Sequence, residues 1–150
     1  LTRPIRHEDE TCTTTWRIDQ HYPMEKNSKD YPNQEWLSYG VLTPIDFYAL
    51  PYRCFYSKDI ANMFMAGRNI SVTHIALGST RVMRTCGLIG EVVGMAAAVC
   101  ARRNAYPRDV YTTYFEDLKE LMRKGTGRTD VPYTQFYHQV DRTGHQAEDR

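Results

Sequence analysis

One short stretch of the sequence concentrates the residue types that could bind an anionic ligand. An apolar run over 63–66 stops at Gly67-Arg68, and a polar loop then runs to Gly78. The run is typical of a buried strand that ends in a tight turn. An arginine at the carboxyl end of such a strand points into the crevice where α/β sheets bind ligands, so Arg68 is a candidate binding residue. Hydrogen-bonding side chains crowd the loop that follows: Ser71, Thr73, His74, Ser79, Thr80 and Arg81.

A long helix is predicted directly after this loop. Residues 81–103 contain no proline and are rich in alanine and methionine. The first N–H groups of a helix are unpaired, and the helix dipole favours negative charge near them. A site for a phosphate-bearing or anionic cofactor is therefore predicted where the strand, its glycine turn and the polar loop lead into this helix. Small residues line one face of the predicted helix: Gly87, Gly90, Gly94, Ala97 and Ala101. Tight helix-on-sheet packing explains them, with close approach of a ligand as the alternative. Close approach of a ligand is a better explanation for Gly78, which lies at the predicted helix start.

The flanking segments predict the elements that must position this stretch. Residues 11–18 are β-prone, a charged loop over 24–35 follows, and two short extended runs occupy 36–42 and 47–56. Pro51 interrupts the second run, which indicates an edge strand or irregular extended chain. Pro107 is placed at the first position of an amphipathic helix that runs to a cap at Gly125, and a polar tail follows. In that helix Glu120 and Lys124 are spaced to form an ion pair.

Composition narrows the function classes. The 150 residues are 41% hydrophobic and 25% charged with a net charge of +1, which gives no support for a nucleic-acid or membrane-surface protein. No apolar run is expected to reach the roughly 20 residues that span a bilayer, so we expect no membrane partner. No signal peptide is visible, which slightly favours the cytoplasm without determining the compartment. The four cysteines are irregularly spaced, which predicts free thiols, and no Cys/His cluster has metal-ligand spacing.

The central stretch also resembles a known family. The strings NMFMAGRNIS over 62–71, THxAxGSxRVM over 73–83 and GxxxGxAAA over 90–98 carry the resemblance. They look like the C-terminal part of the flavin-binding domain in FAD-dependent oxidoreductases of the glutathione reductase-like class, which has two dinucleotide-binding domains. The similarity covers most of residues 11–125, and the members it points to are bacterial proteins.

The resemblance implies a fold and a set of site residues. The fold is α/β, the C-terminal part of a Rossmann-like FAD-binding domain, with short strands, one long central helix and one amphipathic helix, joined to the end of a β-rich substrate domain. The implied domains are 1–35 (end of the substrate domain), 36–104 (FAD-binding part) and 105–150 (amphipathic helix and polar tail). Candidate FAD-binding residues are Gly67, Arg68, Ser71, Gly78, Ser79, Arg81, Val82 and Met83. Candidate catalytic residues are His21, Arg53 and His74, the last also a candidate for holding the flavin.

Two functions from different classes remain open. The first is the C-terminal part of a flavin-dependent oxidoreductase that transfers hydride or electrons between FAD and a small organic substrate. The second is a non-catalytic binding or assembly module. No GxGxxG turn occurs in the sequence, so the resemblance implies that this chain is a piece of a longer enzyme and that the first half of the flavin site is missing. Such a fragment would be inactive alone, and apolar surface meant for the missing half would favour homo-oligomers.

Overall fold

The computed structural model of the chain describes residues 5–23 and 38–126. The predicted loop over 24–35, the start of the extended run at 36–37 and the polar tail beyond 126 lie outside these residues. Four short strands come first in the chain: β1 (Glu10–Thr14), β2 (Ile18–Pro23), β3 (Ser38–Thr43) and β4 (Tyr48–Pro51). A 3-10 helix (Tyr52–Phe55) follows, and then four α-helices: α1 (His74–Thr80), α2 (Met83–Arg103), α3 (Pro107–Thr112) and α4 (Phe115–Lys124).

The strands form two antiparallel ribbons. β1 pairs with β4, with an irregularity in register between Glu10 and Thr13, and β2 pairs with β3 in a continuous register. The β-prone run over 11–18 therefore divides between two strands that have different partners. Strands and helices together give a mixed α/β fold that fits a fragment of an FAD-binding domain. Every strand pairing within 5–23 and 38–126 is antiparallel, so the Rossmann-like arrangement stays a prediction.

The predicted strand over 63–66 is wrong. Only Phe64 forms a β-bridge, to Tyr56, and the backbone of Met65 donates to the carbonyl of Phe55 at 2.7 Å. Phe64 packs against the core, whereas Met63 is exposed. A run of four apolar residues cannot by itself distinguish a strand from an irregular segment that buries one side chain. The predicted turn that follows is present, because Gly67 has a φ of +86°.

The polar loop before the long helix contains a further helix that the sequence did not predict. Thr73 is the N-cap of α1, and its hydroxyl accepts the Ala76 backbone N–H at 3.3 Å. Gly78 therefore lies inside α1, so its predicted position at the start of the long helix is wrong. Arg81 follows α1 as its C-terminal cap, and Val82 is the N-cap of α2. Threonine is a favoured N-cap, but a glycine at the fifth position of a seven-residue helix hides the helical pattern.

The core lies between α2, the β1–β4 ribbon and the two last helices. Buried residues recur along one face of α2 at offsets of three and four: Thr85, Leu88, Ile89, Val92, Ala96 and Val99. The small residues from Gly87 to Ala101 form the opposite face and are exposed. A Cβ added at Gly87, Gly90 or Gly94 would meet no atom within 4 Å, so the tight packing predicted for this face is wrong among the described residues.

In the C-terminal half of the described chain, helices begin and end at the residues that the sequence predicts as helix boundaries. Asn104, which has a φ of +50°, caps the C-terminus of α2, and Pro107 begins α3. The sequence predicted a single helix here, but the structure has two, because the helical conformation is interrupted between Thr112 and Phe115. Gly125 caps α4 with a φ of +66°, and the predicted ion pair joins Lys124 to Glu120 at 2.6 Å.

Helix α2 also corrects an expectation about apolar length. Among the described residues it is long and apolar enough to cross a membrane by length and composition, with a mean hydropathy of 1.4. Core helices of soluble proteins pass the same test, and Leu88, Ile89 and Val92 of α2 lie in the core. One such helix is therefore weak evidence for a membrane span.

The buried thiol and phenol of the core make stability sensitive to alkaline pH. Burial raises the pKa of Cys12 from 9.0 to about 12, and burial also raises the pKa of Tyr52, whose hydroxyl donates to the carbonyl of Pro107 at 2.8 Å. Unfolding lowers both pKa values, so stability is full below about pH 9 and falls as the pH rises towards 12. We expect Cys12 to contribute a loss of about 1.4 kcal/mol in the free energy of unfolding per pH unit in that range.

Urea denaturation from roughly pH 7 to pH 11 measures this loss. In Cys12→Ala the slope against pH should be shallower, whatever the variant costs in absolute stability. A free energy of unfolding that stays level above pH 9 in the wild-type chain would contradict the prediction. All four cysteines are free thiols, as the sequence predicts, so no disulfide complicates the measurement.

Candidate functional site

A cleft opens between β2 and α1, beside the turn at Gly67. Its volume is about 210 Å³. Residues from three separate parts of the sequence line it: Asp19, Gln20, His21, Arg68, His74, Leu77, Gly78 and Arg81. We call it the β2–α1 cleft. It brings together five of the residues that the sequence singles out, His21, Arg68, His74, Gly78 and Arg81.

Gly78 allows α1 to lie directly on β2. A Cβ added at Gly78 would sit 2.7 Å from the carbonyl oxygen of Asp19 and 3.2 Å from its backbone nitrogen. Real Cβ atoms do not approach backbone so closely, so only glycine fits without a shift of the helix or the strand. The contact that explains Gly78 is therefore with the strand, and this contact sets the floor of the cleft.

The carboxylate of Asp19 joins the two sides of the cleft. Its Oδ1 lies 3.1 Å from Nε2 of His21, and its Oδ2 accepts from Nη2 of Arg81 at 3.0 Å. The same Nη2 donates to the backbone carbonyl of Asp19 at 3.2 Å. Asp19 and Arg81 are both largely shielded from solvent, whereas about half of the His21 side chain is exposed. The sequence did not single out Asp19; the signal for it is the alternation of a strand, which puts Asp19 and His21 on one face.

Two hydrogen-bond donors of the cleft, one arginine and one histidine side chain, are available to a ligand. Arg68 and His74 are exposed, and neither side chain makes an ion pair or hydrogen bond with another described residue. The positive φ of Gly67 turns the chain so that Arg68 lies at the cleft. Burial raises the pKa of the neighbouring Cys86 thiol, and the Arg68 guanidinium acts in the opposite direction.

The other predicted site residues do not line the cleft. Arg53 is engaged by Asp9, at 2.8 Å from Nη2 to Oδ1. Ser71 is exposed, and its backbone N–H donates to the carbonyl of Cys54 at 2.9 Å. Met83 is 93% exposed at the start of α2, and Val82 is half-buried beside it.

Ser79 belongs to a buried hydroxyl network under the cleft. Its Oγ donates to the carbonyl of Trp16 at 2.7 Å, and its own carbonyl accepts from Thr14 Oγ1 at 3.0 Å. Thr85 of α2 donates to the same Thr14 hydroxyl at 3.3 Å. This network fastens the α1–α2 junction to β1, which holds Arg81 in place at the edge of the cleft.

A larger cavity, of about 290 Å³, lies between the end of α2 and α4. It is lined by charged residues, and two ion pairs already use most of them, Arg103 with Asp117 at 2.7 Å and Lys124 with Glu120 at 2.6 Å. None of the candidate FAD-binding or catalytic residues lines this cavity. Within 5–23 and 38–126, no group of three or more His, Cys, Asp or Glu residues could hold a metal ion.

The chain matches the family model described as FAD dependent oxidoreductase over residues 1–122. It belongs to the FAD dependent oxidoreductase family. FAD is the cofactor of this family, and the match supports a flavin-dependent redox function. Neither the curated proteins nor the solved structures compared with the chain give a match.

The β2–α1 cleft fits part of an FAD molecule. Arg68 and His74, which have no side-chain partner within 5–23 and 38–126, are donors that suit the anionic and carbonyl oxygens of a flavin dinucleotide. The volume of the cleft is below the roughly 300–1,000 Å³ of pockets that enclose a whole small-molecule ligand. The cleft could therefore hold one portion of the dinucleotide, with the remainder bound elsewhere.

Proposed function

We propose that the chain supplies one side of the flavin site in a bacterial oxidoreductase of the glutathione reductase-like class. The reaction transfers hydride or electrons between FAD and a small organic substrate. The observation that carries the proposal is the β2–α1 cleft itself, because it gathers His21, Arg68, His74 and Arg81 into one opening in a chain that matches the family. Clustered donors and acceptors of this kind mark a functional site better than any one of them alone.

The roles of the residues follow from their partners. Arg68 is exposed and makes no ion pair with a described residue, so its guanidinium can pair with an anionic oxygen of the cofactor. Arg81 pairs with the carboxylate of Asp19, and this contact holds its guanidinium at the cleft. Bound FAD supplies the acceptor or donor of the hydride. His21 takes or returns the proton that leaves the substrate with it, since an exposed imidazole is suited to proton transfer near neutral pH.

The remaining half of the flavin site is proposed to lie outside these 150 residues. A GxGxxG turn, which holds the pyrophosphate of a dinucleotide, is absent from the sequence, and the cleft is too small for the whole cofactor. The division into a substrate-domain end, an FAD-binding part and a helical tail is part of this proposal. The same two observations favour the second candidate, a binding or assembly module that is not catalytic by itself.

Visible absorption spectroscopy tests the proposal. The enzyme that contains this chain should carry flavin absorption bands when purified or after FAD is added, and Arg68→Ala should lower the flavin occupancy about tenfold at a limiting FAD concentration. Loss of one charge-assisted hydrogen bond costs about 1.5–3 kcal/mol, which corresponds to that factor or more.

Arg102→Ala is the matched control, because Arg102 is an exposed arginine at the far end of α2, with no ion pair among the described residues. It should leave flavin occupancy unchanged. A wild-type protein without flavin bands in the presence of FAD would overturn the proposed function. Equal occupancy in Arg68→Ala and Arg102→Ala would overturn the assignment of Arg68 alone.

A further inference from the structure

The β2–β3 ribbon has an edge along β3 that no described strand covers. β3 pairs with β2 along its whole length, and no other strand within 5–23 and 38–126 pairs with it. Helix α1 packs on β2 through Gly78, whereas the first five residues of β3 are all exposed. The outer edge of β3 therefore presents backbone N–H and C=O groups at the spacing that another strand can pair with.

Three large apolar side chains are exposed along the same strand. Tyr39, Val41 and Leu42 are 44%, 38% and 53% exposed. The ring of Tyr39 lies 5.9 Å from the ring of Tyr22 on β2, so the two strands share an aromatic pair. A ribbon of two strands is marginally stable in water, and further strands with an apolar face stabilise it. An added strand would therefore stabilise the ribbon and cover apolar surface at the same time.

β3 also lacks the features that usually keep edge strands from pairing. Edges are protected by charged side chains, proline or β-bulges. The sequence of β3 is SYGVLT, which has no charge and no proline, and its register with β2 is continuous. An uncharged strand can meet its own copy without repulsion between like charges, whereas a charged edge favours a partner of opposite charge. A second copy of this chain therefore fits the edge best.

We propose that β3 pairs antiparallel with β3 of a second copy, so that two β2–β3 ribbons form one four-stranded sheet. Both copies use the same surface, as in other two-fold dimers. The sequence predicts homo-oligomers from exposed apolar surface in general, and the β3 edge gives that surface a position in the fold. The inference concerns assembly, so it goes beyond the proposed function and does not depend on flavin binding.

The two-fold axis restricts the register of this pairing. An axis perpendicular to the sheet keeps each face of the two ribbons on the same side, and directly opposite residues share a face. The registers that pair most of β3 therefore place either Gly40 or Val41 opposite its own copy. In both registers the two Val41 side chains are direct or diagonal neighbours, so Val41 lies at the centre of the interface.

Sedimentation equilibrium of the purified protein measures the dimer. A single strand edge is smaller than the roughly 1,200 Å² that stable interfaces bury, so we expect a dissociation constant of about 1–100 μM. Val41→Lys should raise this constant at least about tenfold, because it brings like charges together across the axis. Ile60→Lys is the matched control, since Ile60 is 50% exposed in the loop after the 3-10 helix, and it should leave the constant unchanged.

A charge exchange at position 41 tests whether the strand pairs with itself. Val41→Glu alone should dissociate as Val41→Lys does, and an equimolar mixture of the two variants should form dimers again, because opposite charges then meet across the axis. Failure of the mixture to form dimers would overturn the self-pairing of β3. A wild-type protein that stays monomeric up to about 1 mM, or an equal effect of Ile60→Lys and Val41→Lys, would also overturn it.

Hydrogen exchange followed by NMR tests the pairing without any variant. Alternate amides of a strand in an antiparallel ribbon point to its partner and to the opposite edge. The edge amides of β3 should gain protection as the protein concentration rises through the dissociation constant, while the amides bonded to β2 stay protected throughout. Edge amides that exchange at one rate at every concentration would contradict the proposal, whether that rate is fast or slow.

Discussion

Gly78→Ala should lower the free energy of unfolding by about 1–3 kcal/mol, the usual cost of overpacking a close contact. Helix propensity alone predicts the opposite sign, because alanine is favoured over glycine by about 1 kcal/mol inside a helix. The contact decides the sign here. The added Cβ would lie 2.7 Å from the carbonyl oxygen of Asp19, and both the obstacle and the helix are backbone, so neither can yield by rotating a side chain.

The same substitution should open the β2–α1 cleft. If α1 moves away from β2 to admit the methyl group, Arg81 moves with it and the contact with Asp19 at 3.0 Å lengthens. Urea denaturation measures the change in stability, and a crystal structure of the variant measures the distance between Arg81 and Asp19. We therefore expect a loss of stability and a longer contact between Arg81 and Asp19 in one variant.

Gly94→Ala is the matched control for this prediction. Gly94 lies in α2 on its exposed face, and a Cβ there would meet no atom within 4 Å. Alanine should stabilise the fold at this position by about 0.5–1 kcal/mol. If Gly78→Ala were as stable as Gly94→Ala, the close packing of α1 on β2 would be contradicted.

Local signals in the sequence predicted the ends of the long helices. The alanine-rich segment without proline became α2, which starts at Met83, two residues after the predicted start. Pro107 begins α3 and Gly125 caps α4, because the ring of proline and the positive φ of glycine act within one or two residues. Such constraints depend only on residues close in sequence, so they can be predicted from a single sequence.

Contacts between distant residues could not be predicted in this way. The sequence placed Gly78 at the start of the long helix because the contact that requires a glycine, with the backbone of Asp19, is made by a residue 59 positions earlier in the chain. The small-residue face of α2 looked like a packing surface, but it is exposed among the described residues because the periodic pattern fits either face and only the fold decides between them. The site shows both cases: the sequence predicted His21, Arg68 and Arg81, and missed the carboxylate that links two of them.

Arg53→Ala should lower the free energy of unfolding by about 3 kcal/mol, at the lower end of the cost of breaking a buried ion pair. The carboxylate of Asp9 is fully buried, and Arg53 satisfies both of its oxygens. Nη2 donates to Oδ1 at 2.8 Å, and the backbone N–H donates to Oδ2 at 2.9 Å. The lower end applies because 44% of the Arg53 side chain is exposed, so solvent screens its attraction to the carboxylate.

The substitution removes more than one contact. The Arg53 guanidinium lies over the ring of Tyr111 at 5.4 Å, and the hydroxyl of Tyr111 donates to Glu8. Arg53 therefore joins the segment before β1, the 3-10 helix and α3. Burial of the Asp9 carboxylate without its guanidinium partner is the dominant cost, since a charge that loses its partner keeps its desolvation penalty.

Arg17→Ala controls for the loss of a positive charge, because Arg17 is exposed between β1 and β2 and makes no ion pair among the described residues. It should change the free energy of unfolding by less than about 0.5 kcal/mol. Combining Arg53→Ala with Asp9→Asn should cost less than the sum of the two single changes, because each single change leaves the other partner unmatched.

Turnover and melting temperature of Arg53→Ala, measured together in the enzyme that contains this chain, decide whether Arg53 acts on substrate, as the sequence led us to predict. A residue that serves the reaction directly would lose turnover on substitution while the melting temperature stayed the same. A residue that holds the fold would lose stability, and turnover measured well below the melting temperature would change little. The ion pair with a fully buried carboxylate predicts the second outcome. Full stability with abolished turnover in Arg53→Ala would instead return Arg53 to the list of candidate catalytic residues.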